Sequence, residues 1–109
     1  MNFKLLTLAE STMRTVRPLV SAVEAHDRRL ATQLRNAATS AGLLAAEANK
    51  LGAGHRKAQL RRAAGEANEA RAALRFACAW GYLQRPQTEA ADELLDQMGA
   101  ILWTLTRKR

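Results

Sequence analysis

The strongest constraint on this chain is a repeated spacing of small and apolar residues at alternating steps of four and three. The middle of the chain carries two such series: Leu30, Leu34, Ala37, Ala41, Leu44, Ala48 and Leu51, then Leu60, Ala63, Ala67, Ala70, Leu74 and Ala77. This spacing puts all members of a series on one face of an α-helix. Alternating β-branched runs and Asn-Gly or Asp-Gly turns are missing from the sequence, so an all-α fold is predicted.

Two further segments have the same spacing, which gives four predicted helices. Ala9, Met13, Val16, Val20 and Val23 form the first series, and Ala91, Leu94, Met98, Ile101 and Leu105 form the last. The predicted helices cover residues 8–25, 28–51, 55–80 and 88–106. Helices of similar length joined by short loops predict an up-down-up-down antiparallel four-helix bundle, with residues 1–109 as a single domain.

Local signals set the start of the first two predicted helices. Thr7 and Glu10 have the spacing of a capping box, and Asp27 is a suitable N-cap for the second helix. Pro18 lies inside the first helix, where a proline removes a hydrogen bond, so we expect a kink or a full break there.

Glycines and charges mark the other helix ends. Gly52-Ala53-Gly54 and Gly81 follow the second and third predicted helices, as glycine commonly does at a helix C-terminus. Glu89, Asp92 and Glu93 fall in the first turns of the predicted fourth helix, where carboxylates favour the positive end of the helix dipole.

Alanine-rich series bury little apolar area per residue, so a lone bundle of this size is expected to be marginally stable. Leu43, Leu95, Leu102 and Trp103 lie beside the series rather than in them. They either widen the core stripe of a monomer or remain exposed and are buried between subunits. The second alternative predicts a homo-oligomer.

The chain is strongly basic, with 17 Lys and Arg against 10 Asp and Glu in 109 residues and a formal charge of +7. In an up-down bundle, the turn between the second and third helices lies at the same end as both chain termini. This end would collect Lys4, Lys50, His55, Arg56, Lys57, Arg61, Arg62, Arg107, Lys108 and Arg109. Such an end attracts polyanions, although a solvated basic face is the ordinary alternative.

The predicted nucleic-acid contacts are the basic residues of that end: Lys50, Arg56, Lys57, Arg61, Arg62, Arg107, Lys108 and Arg109. Phe76, Trp80 and Tyr82 lie toward the other end and are interpreted as packing residues rather than platforms for bases. We therefore expect binding that is directed at phosphates, sensitive to salt and weak in sequence preference.

Catalytic, metal and cofactor sites are not predicted. His26 and His55 occupy different loops without partners at ligand spacing, and the serines have no paired base. Cys78, the only cysteine, is interpreted as a small buried residue and suits a reducing compartment. No segment has the length of a membrane span, and the N-terminal apolar run is too short for a secretory signal. We expect a cytoplasmic, non-enzymatic protein.

The sequence resembles the bacterial four-helix bundle family encoded in intervening sequences of 23S rRNA genes. The residues that carry the resemblance are Gln33-Leu34-Arg35-x-Ala37-Ala38-x-Ser40, Ala46-Glu47, Gly65, Glu69, Ala79-Trp80-Gly81-Tyr82-Leu83 and Glu93-Leu94-Leu95-Asp96-Gln97-Met98-Gly99-Ala100-Ile101-Leu102. The last helix, with Leu74-Arg75-Phe76 before it, is also similar to accessory variability proteins of diversity-generating retroelements.

This resemblance implies a four-helix bundle in a ring-like homopentamer. In the retroelement branch it also implies nucleic-acid binding and a reverse transcriptase partner. The chain departs from the Asn-Ile-Ala-Glu-Gly signature of the intervening-sequence branch, because Leu44, Ala45 and Ala48 replace its asparagine, isoleucine and glycine. Glu47 is retained and is interpreted as structural.

Three functions follow as hypotheses. The first is a non-enzymatic, oligomeric accessory or scaffold protein that binds nucleic acid through its basic surface. The second is an adaptor whose protein partner covers the leftover apolar face. The third is a small ligand-binding bundle, for which an alanine-lined core offers little room.

Overall fold

The computed structural model describes residues 3–107, and these form four α-helices: α1 (Phe3–Glu24), α2 (Arg28–Ala48), α3 (Ala53–Ala79) and α4 (Arg85–Arg107). The described residues contain no strand, which confirms the predicted all-helical bundle. The molecule is a rod of 43 × 21 × 18 Å. Helices adjacent in the chain pack together, and α1 also packs against α4, though less extensively than the other pairs.

The core consists of three clusters along the rod, each drawing on residues far apart in the chain. One end cluster combines Leu5, Ala48, Leu60 and Leu102. The middle cluster contains Ala9, Ala41, Ala67 and Met98. The largest cluster, at the other end, includes Val23, Leu30, Ala77, Leu83 and Ala91. Each cluster therefore takes side chains from all four helices, and alanine supplies most of those from α2 and α3.

The predicted spacing of α3 is confirmed residue by residue, whereas that of α4 is confirmed at Ala91 and Met98 and shifted by one position at Leu94, Ile101 and Leu105. Every member of the α3 series is buried. In α4, Leu95 and Leu102 are fully buried, while Leu94, Ile101 and Leu105 are only half-buried. Of the two alternatives for the residues beside the series, Leu95 and Leu102 follow the first, because they widen the core stripe. Because α4 packs closely on α3 and more loosely on α1, its core face is rotated toward α3.

The first helix begins five residues earlier than predicted and continues through its proline. Thr7 lies inside α1, so the predicted capping box at Thr7 and Glu10 is wrong. Pro18 is exposed and does not break the helix. On the buried side, the Thr12 hydroxyl donates to the carbonyl of Leu8 at 2.7 Å, which satisfies the buried polar side chain within its own helix.

The turn between α2 and α3 corrects the predicted role of Gly52. α2 ends at Ala48, three residues before the predicted end, and Gly52 has φ −65° and ψ 160° as the N-cap of α3. It therefore opens α3 rather than closing α2. The N-cap at Asp27 is confirmed, because its carboxylate accepts a hydrogen bond from the Leu30 N–H at 3.0 Å.

The turn between α3 and α4 contains Gly81, which ends the helix as predicted and is left-handed. Gly81 has φ +81°, and the N–H of Tyr82 donates to the carbonyl of Ala77 at 2.9 Å. This is the hydrogen bonding expected where a glycine ends a helix. α4 then begins three residues earlier than predicted. There the Gln87 side chain accepts from the N–H of Gln84 at 2.7 Å, which is half of a capping box.

The early start of α4 changes the role of its acidic residues. The first turn of α4 contains no acidic residue, so the predicted interaction of Glu89, Asp92 and Glu93 with the helix dipole is wrong. Asp92 and Asp96 instead pair with Arg71 of α3. The guanidinium Nε lies 2.9 Å from Asp92 Oδ1, and Nη1 lies 3.0 Å from Asp96 Oδ1. This arrangement clamps α4 to α3.

Candidate nucleic-acid interface

One end of the rod brings together the turn between α2 and α3 with the beginning of α1 and the end of α4. A small cavity of about 20 Å³ at this end is lined by Leu5, Asn49, Arg56 and Leu105. Leu105 lies two residues before Arg107, and Lys4 precedes Leu5 in the chain. The structure therefore brings basic residues of four separate segments to the same region, which we call the basic end.

The basic end is defined by Lys4, Lys50, Arg56, Lys57, Arg61, Arg62 and Arg107. Arg56 and Lys57 are half-buried, and the other five are exposed. Two of the predicted contacts, Lys108 and Arg109, lie outside the described residues. The structure thus places six of the eight predicted contacts in the regions that meet at this end.

The helix α3 positions three of these cations, Arg56, Arg61 and Arg62. Arg56 lies in the first turn of α3, where its N–H donates to the carbonyl of Gly52 at 2.8 Å, and its side chain lines the small cavity. Arg61 and Arg62 lie two turns into α3. Neighbouring helical residues point about 100° apart, so these two side chains diverge across the outer face of the helix.

The cations of the basic end make no ion pair within 4.0 Å in the described part of the chain, although Arg62 interacts electrostatically with Glu66. Across residues 3–107, the ion pairs within 4.0 Å are Arg14 with Glu10, and Arg71 with Asp92 and Asp96. None of the basic-end residues takes part in them. Unpaired cations at close quarters create a positive potential that reaches roughly a Debye length, ~8–10 Å at physiological salt.

A pair of carboxylates lies in a groove between α2 and α3. Glu66 and Glu69 line this groove together with Gln33 and Asn36. Burial raises the pKa of Glu66 above its ordinary value of 4.5, and the charge of Glu69 adds to this increase, while Arg62 opposes it. The groove therefore reduces the acidity of Glu66.

Trp103 is a feature of this region that the charge pattern did not reveal. It is 49% exposed and lies one turn before Arg107 on α4. Helical spacing also places it seven residues after Asp96, whose side chain is directed at α3. An exposed indole on the α3 side of α4 therefore accompanies the cations. Its position beside the predicted α4 series was the signal for its exposure in the sequence, and its spacing from Arg107 was the signal for its place near the cations.

The predicted packing role of two aromatic residues is corrected by the structure. Phe76 is 58% exposed and Trp80 is 70% exposed, because both lie on the outer face of α3. Tyr82 is half-buried and packs against the largest core cluster. Cys78, predicted to be buried, is also half-buried, and its Sγ lies 3.9 Å from Thr88 Oγ1.

The described part of the chain has neither a cluster of metal-ligating residues nor a membrane-spanning helix. No group of three or more His, Cys, Asp or Glu side chains among residues 3–107 has the arrangement of a metal site. None of the four helices combines the length and apolar character that crossing a membrane requires.

Known proteins resemble this chain in fold rather than in sequence. No protein-family model and no curated protein matches it. A crystal structure of a protein of unknown function from the S23 ribosomal protein family of Bacteroides thetaiotaomicron is similar over 95% of this chain and 99% of its own, with a TM-score of 0.88 and 18% sequence identity. At that identity the similarity shows a shared four-helix fold, which agrees with the fold expected from the sequence resemblance.

Proposed function

We propose that this chain is a non-enzymatic up-down-up-down bundle that binds nucleic acid through its basic end and acts as an accessory or scaffold protein. The observation that carries the proposal is the meeting of cations from the α2–α3 turn, the start of α3 and the end of α4, none of which makes an ion pair within 4.0 Å. These groups suit phosphates, which need positive charge but no base-specific geometry.

The formal charge of +7 supports the same partner class. A protein that neutralises several phosphates releases condensed counterions, so its affinity falls as salt rises. Each phosphate contact contributes about 0.7–0.9 to the slope of log affinity against log salt. With six cations in the described part of the predicted contact set, binding is expected to weaken steeply between about 50 and 200 mM salt.

A filter-binding assay at low salt tests this proposal. We expect retention of both single-stranded and duplex probes of unrelated sequence, with affinity that decreases along a salt series. Absence of retention at about 50 mM salt, where phosphate-directed binding is strong, would remove the proposal.

Self-assembly belongs to the same proposal, with a ring-like homopentamer as the form implied by the sequence resemblance. Leu43 and Trp103, two of the four apolar residues that lie beside the predicted series, are 56% and 49% exposed. Assembly would bury them and repeat the basic end around the ring. Light scattering at micromolar concentration is expected to give a mass that is a multiple of 12.0 kDa, whereas a monomer would end this part of the proposal.

A reverse transcriptase partner and a cytoplasmic location complete the proposal, and both rest on the sequence resemblance and on cysteine usage. A reverse transcriptase gene with template and variable repeats beside the gene for this chain would support the retroelement branch. An insertion in an rRNA gene would support the intervening-sequence branch.

The second candidate function is a protein-interaction adaptor, favoured by the same exposed Leu43 and Trp103. In that case a defined partner would cover these side chains and would remain bound after nuclease treatment. A complex that dissociates when nucleic acid is digested would favour the first function.

A further inference from the structure

Among the side chains that the structure describes, the two most exposed aromatic ones lie together at the end of the rod opposite the basic end. Phe76 and Trp80 are one turn apart on α3, so their side chains neighbour each other on its outer face. They lie at the same end of the rod as the largest core cluster, in which Ala77 and Leu83 pack with Val23 and Leu30. We define the aromatic patch as Phe76 and Trp80 together with Arg75 and Arg85.

The indole of Trp80 is held in place by a series of parallel rings. Tyr82 stacks on His26 with ring centroids 5.2 Å apart and planes 5° apart, and Trp80 stacks on Tyr82 at 6.3 Å and 15°. Tyr82 also packs on the core. The outermost ring of this series, Trp80, is nevertheless 70% exposed. The indole of Trp80 is therefore already fixed by its contact with Tyr82 while much of its surface is exposed. Such a ring loses little conformational freedom when another flat ring stacks on it.

Phe76 lies between two grooves of opposite charge, since it also lines the groove that contains Glu66 and Glu69. Phe76 lines a groove of about 730 Å³ with Arg75 and Arg85, and its other lining residues are Cys78, Ala79, Gly81, Leu83, Gln84 and Pro86. No carboxylate belongs to this lining. Neither arginine takes part in an ion pair within 4.0 Å in the described part of the chain, although both line a further groove with Glu89 and Asp92. Asp27, the acidic residue beside Tyr82, is already engaged as the N-cap of α2.

We propose that the aromatic patch binds single-stranded nucleic acid, with bases stacked on Phe76 and Trp80 and phosphates bound by Arg75 and Arg85. Exposed rings and unpaired guanidiniums are the two components of sequence-tolerant single-strand sites. Bases in a duplex are already stacked on each other, so a duplex offers the patch no free ring face. The patch shares no residue with the basic end and does not depend on binding there.

The first experiment uses the fluorescence of Trp80. The chain has two tryptophans, so Trp103→Phe leaves Trp80 as the only indole. Addition of a short oligothymidylate, which forms no secondary structure, is expected to quench this fluorescence to saturation. A duplex of equal length is expected to leave it unchanged at concentrations where the duplex binds the protein.

The second experiment measures affinity for a labelled oligothymidylate by anisotropy. Trp80→Ala is expected to weaken binding about tenfold, because a base stacked on an aromatic side chain is lost. Trp80→Phe retains a ring and is the matched control, with a loss of no more than about threefold. Affinity for duplex is expected to be the same in all three proteins.

A third variant, Arg75→Gln with Arg85→Gln, is expected to lower the salt slope for the single strand by about 1–2 and to leave the slope for duplex unchanged. The proposal is overturned if Trp80 fluorescence does not respond to saturating oligothymidylate. It is also overturned if Trp80→Ala leaves the single-strand affinity unchanged. A smaller mass for Trp80→Ala in light scattering, together with either result, would assign the patch to contact between copies of the chain.

Discussion

Two glycines of this chain have opposite roles that their sequence neighbourhoods do not reveal. Gly81 has φ +81°, where any other residue is strained, and Gly65 lies within α3, where an added Cβ would meet no atom within 4 Å. Glycine in a helix interior costs about 0.5–1 kcal/mol relative to alanine. A left-handed conformation costs a non-glycine residue about 1–2 kcal/mol.

Alanine substitutions at these glycines should therefore change stability in opposite directions. We expect Gly65→Ala to raise the free energy of unfolding by about 0.5–1 kcal/mol, and Gly81→Ala to lower it by about 1–2 kcal/mol. Urea unfolding followed by circular dichroism measures both. If both substitutions changed the free energy of unfolding in the same direction, the assignment of Gly81 as the left-handed end of α3 would be contradicted.

The Arg71 clamp is also a property of a single residue. Its guanidinium contacts both Asp92 and Asp96, and the hydrogen bond to Asp92 is the largest cause of its raised pKa. A lysine keeps the charge but lacks the planar group that bonds two carboxylates. Because the three side chains are 34–64% exposed, the clamp contributes modestly to stability.

Arg71→Lys is expected to lower the free energy of unfolding by about 0.5–1 kcal/mol at low salt, and by less at 1 M salt, where charges are screened. Arg14→Lys is the matched control, since Arg14 pairs with Glu10 at 4.0 Å on an exposed helix face. It should change stability by less than about 0.3 kcal/mol. Equal changes in the free energy of unfolding for the two variants would show that the Arg71 clamp stabilises the protein no more than an ordinary surface ion pair.

At the scale of helices, the groove between α2 and α3 makes stability depend on pH. In the folded chain, the pKa of Glu66 is raised above its ordinary value of 4.5, chiefly because of burial and secondly because of the charge of Glu69. A carboxyl whose pKa is raised on folding stabilises the protein when protonated, and this contribution is lost as pH rises through the raised pKa.

Glu66→Gln removes this dependence. We expect the variant and the unmodified chain to be equally stable at pH 4, and the variant to be the more stable one at pH 7. Thermal unfolding across this range measures the difference. Glu93→Gln changes the same charge at an exposed position of α4 and is the control. A difference between Glu66→Gln and the unmodified chain that shrinks as pH rises would contradict the proposed protonation.

The periodic features of the sequence predicted the helices well, and the helix ends less well. The series of α3, the cap at Asp27 and the turn at Gly81 were all predicted, because each depends on local spacing or backbone geometry. The capping box at Thr7 was wrong because α1 extends past it, and the closing role of Gly52 was wrong because α2 ends before it. Tertiary packing determines how far a helix continues.

Contacts between helices determine most features of the candidate site that could not be predicted from the sequence. Packing of α4 on α3 buried Leu95 and Leu102 and directed Asp92 at Arg71, neither of which follows from the spacing within α4. The exposure of Phe76 and Trp80 likewise depends on which face of α3 is covered. The basic residues could be found from the sequence because charge needs only a common end of the bundle, not a precise side-chain geometry.

At the scale of the whole molecule, the fold determines where positive charge accumulates. The rod is 43 Å long, several times the Debye length of ~8–10 Å at physiological salt. Charges at its two ends therefore act on a polyanion independently. The basic end lies around the cavity formed by Leu5, Asn49, Arg56 and Leu105, whereas Arg17, Arg28 and Arg35 are exposed elsewhere on the rod.

The most direct test compares two triple variants that remove the same charge from different places. Lys57→Gln with Arg61→Gln and Arg62→Gln alters the basic end, and Arg17→Gln with Arg28→Gln and Arg35→Gln is the matched control. Binding to a labelled duplex is measured over a salt series. We predict that the basic-end variant loses about 2–3 from the salt slope and at least tenfold in affinity, while the control keeps most of both. Equal losses in the two variants would contradict the account, because net charge rather than the basic end would then determine binding.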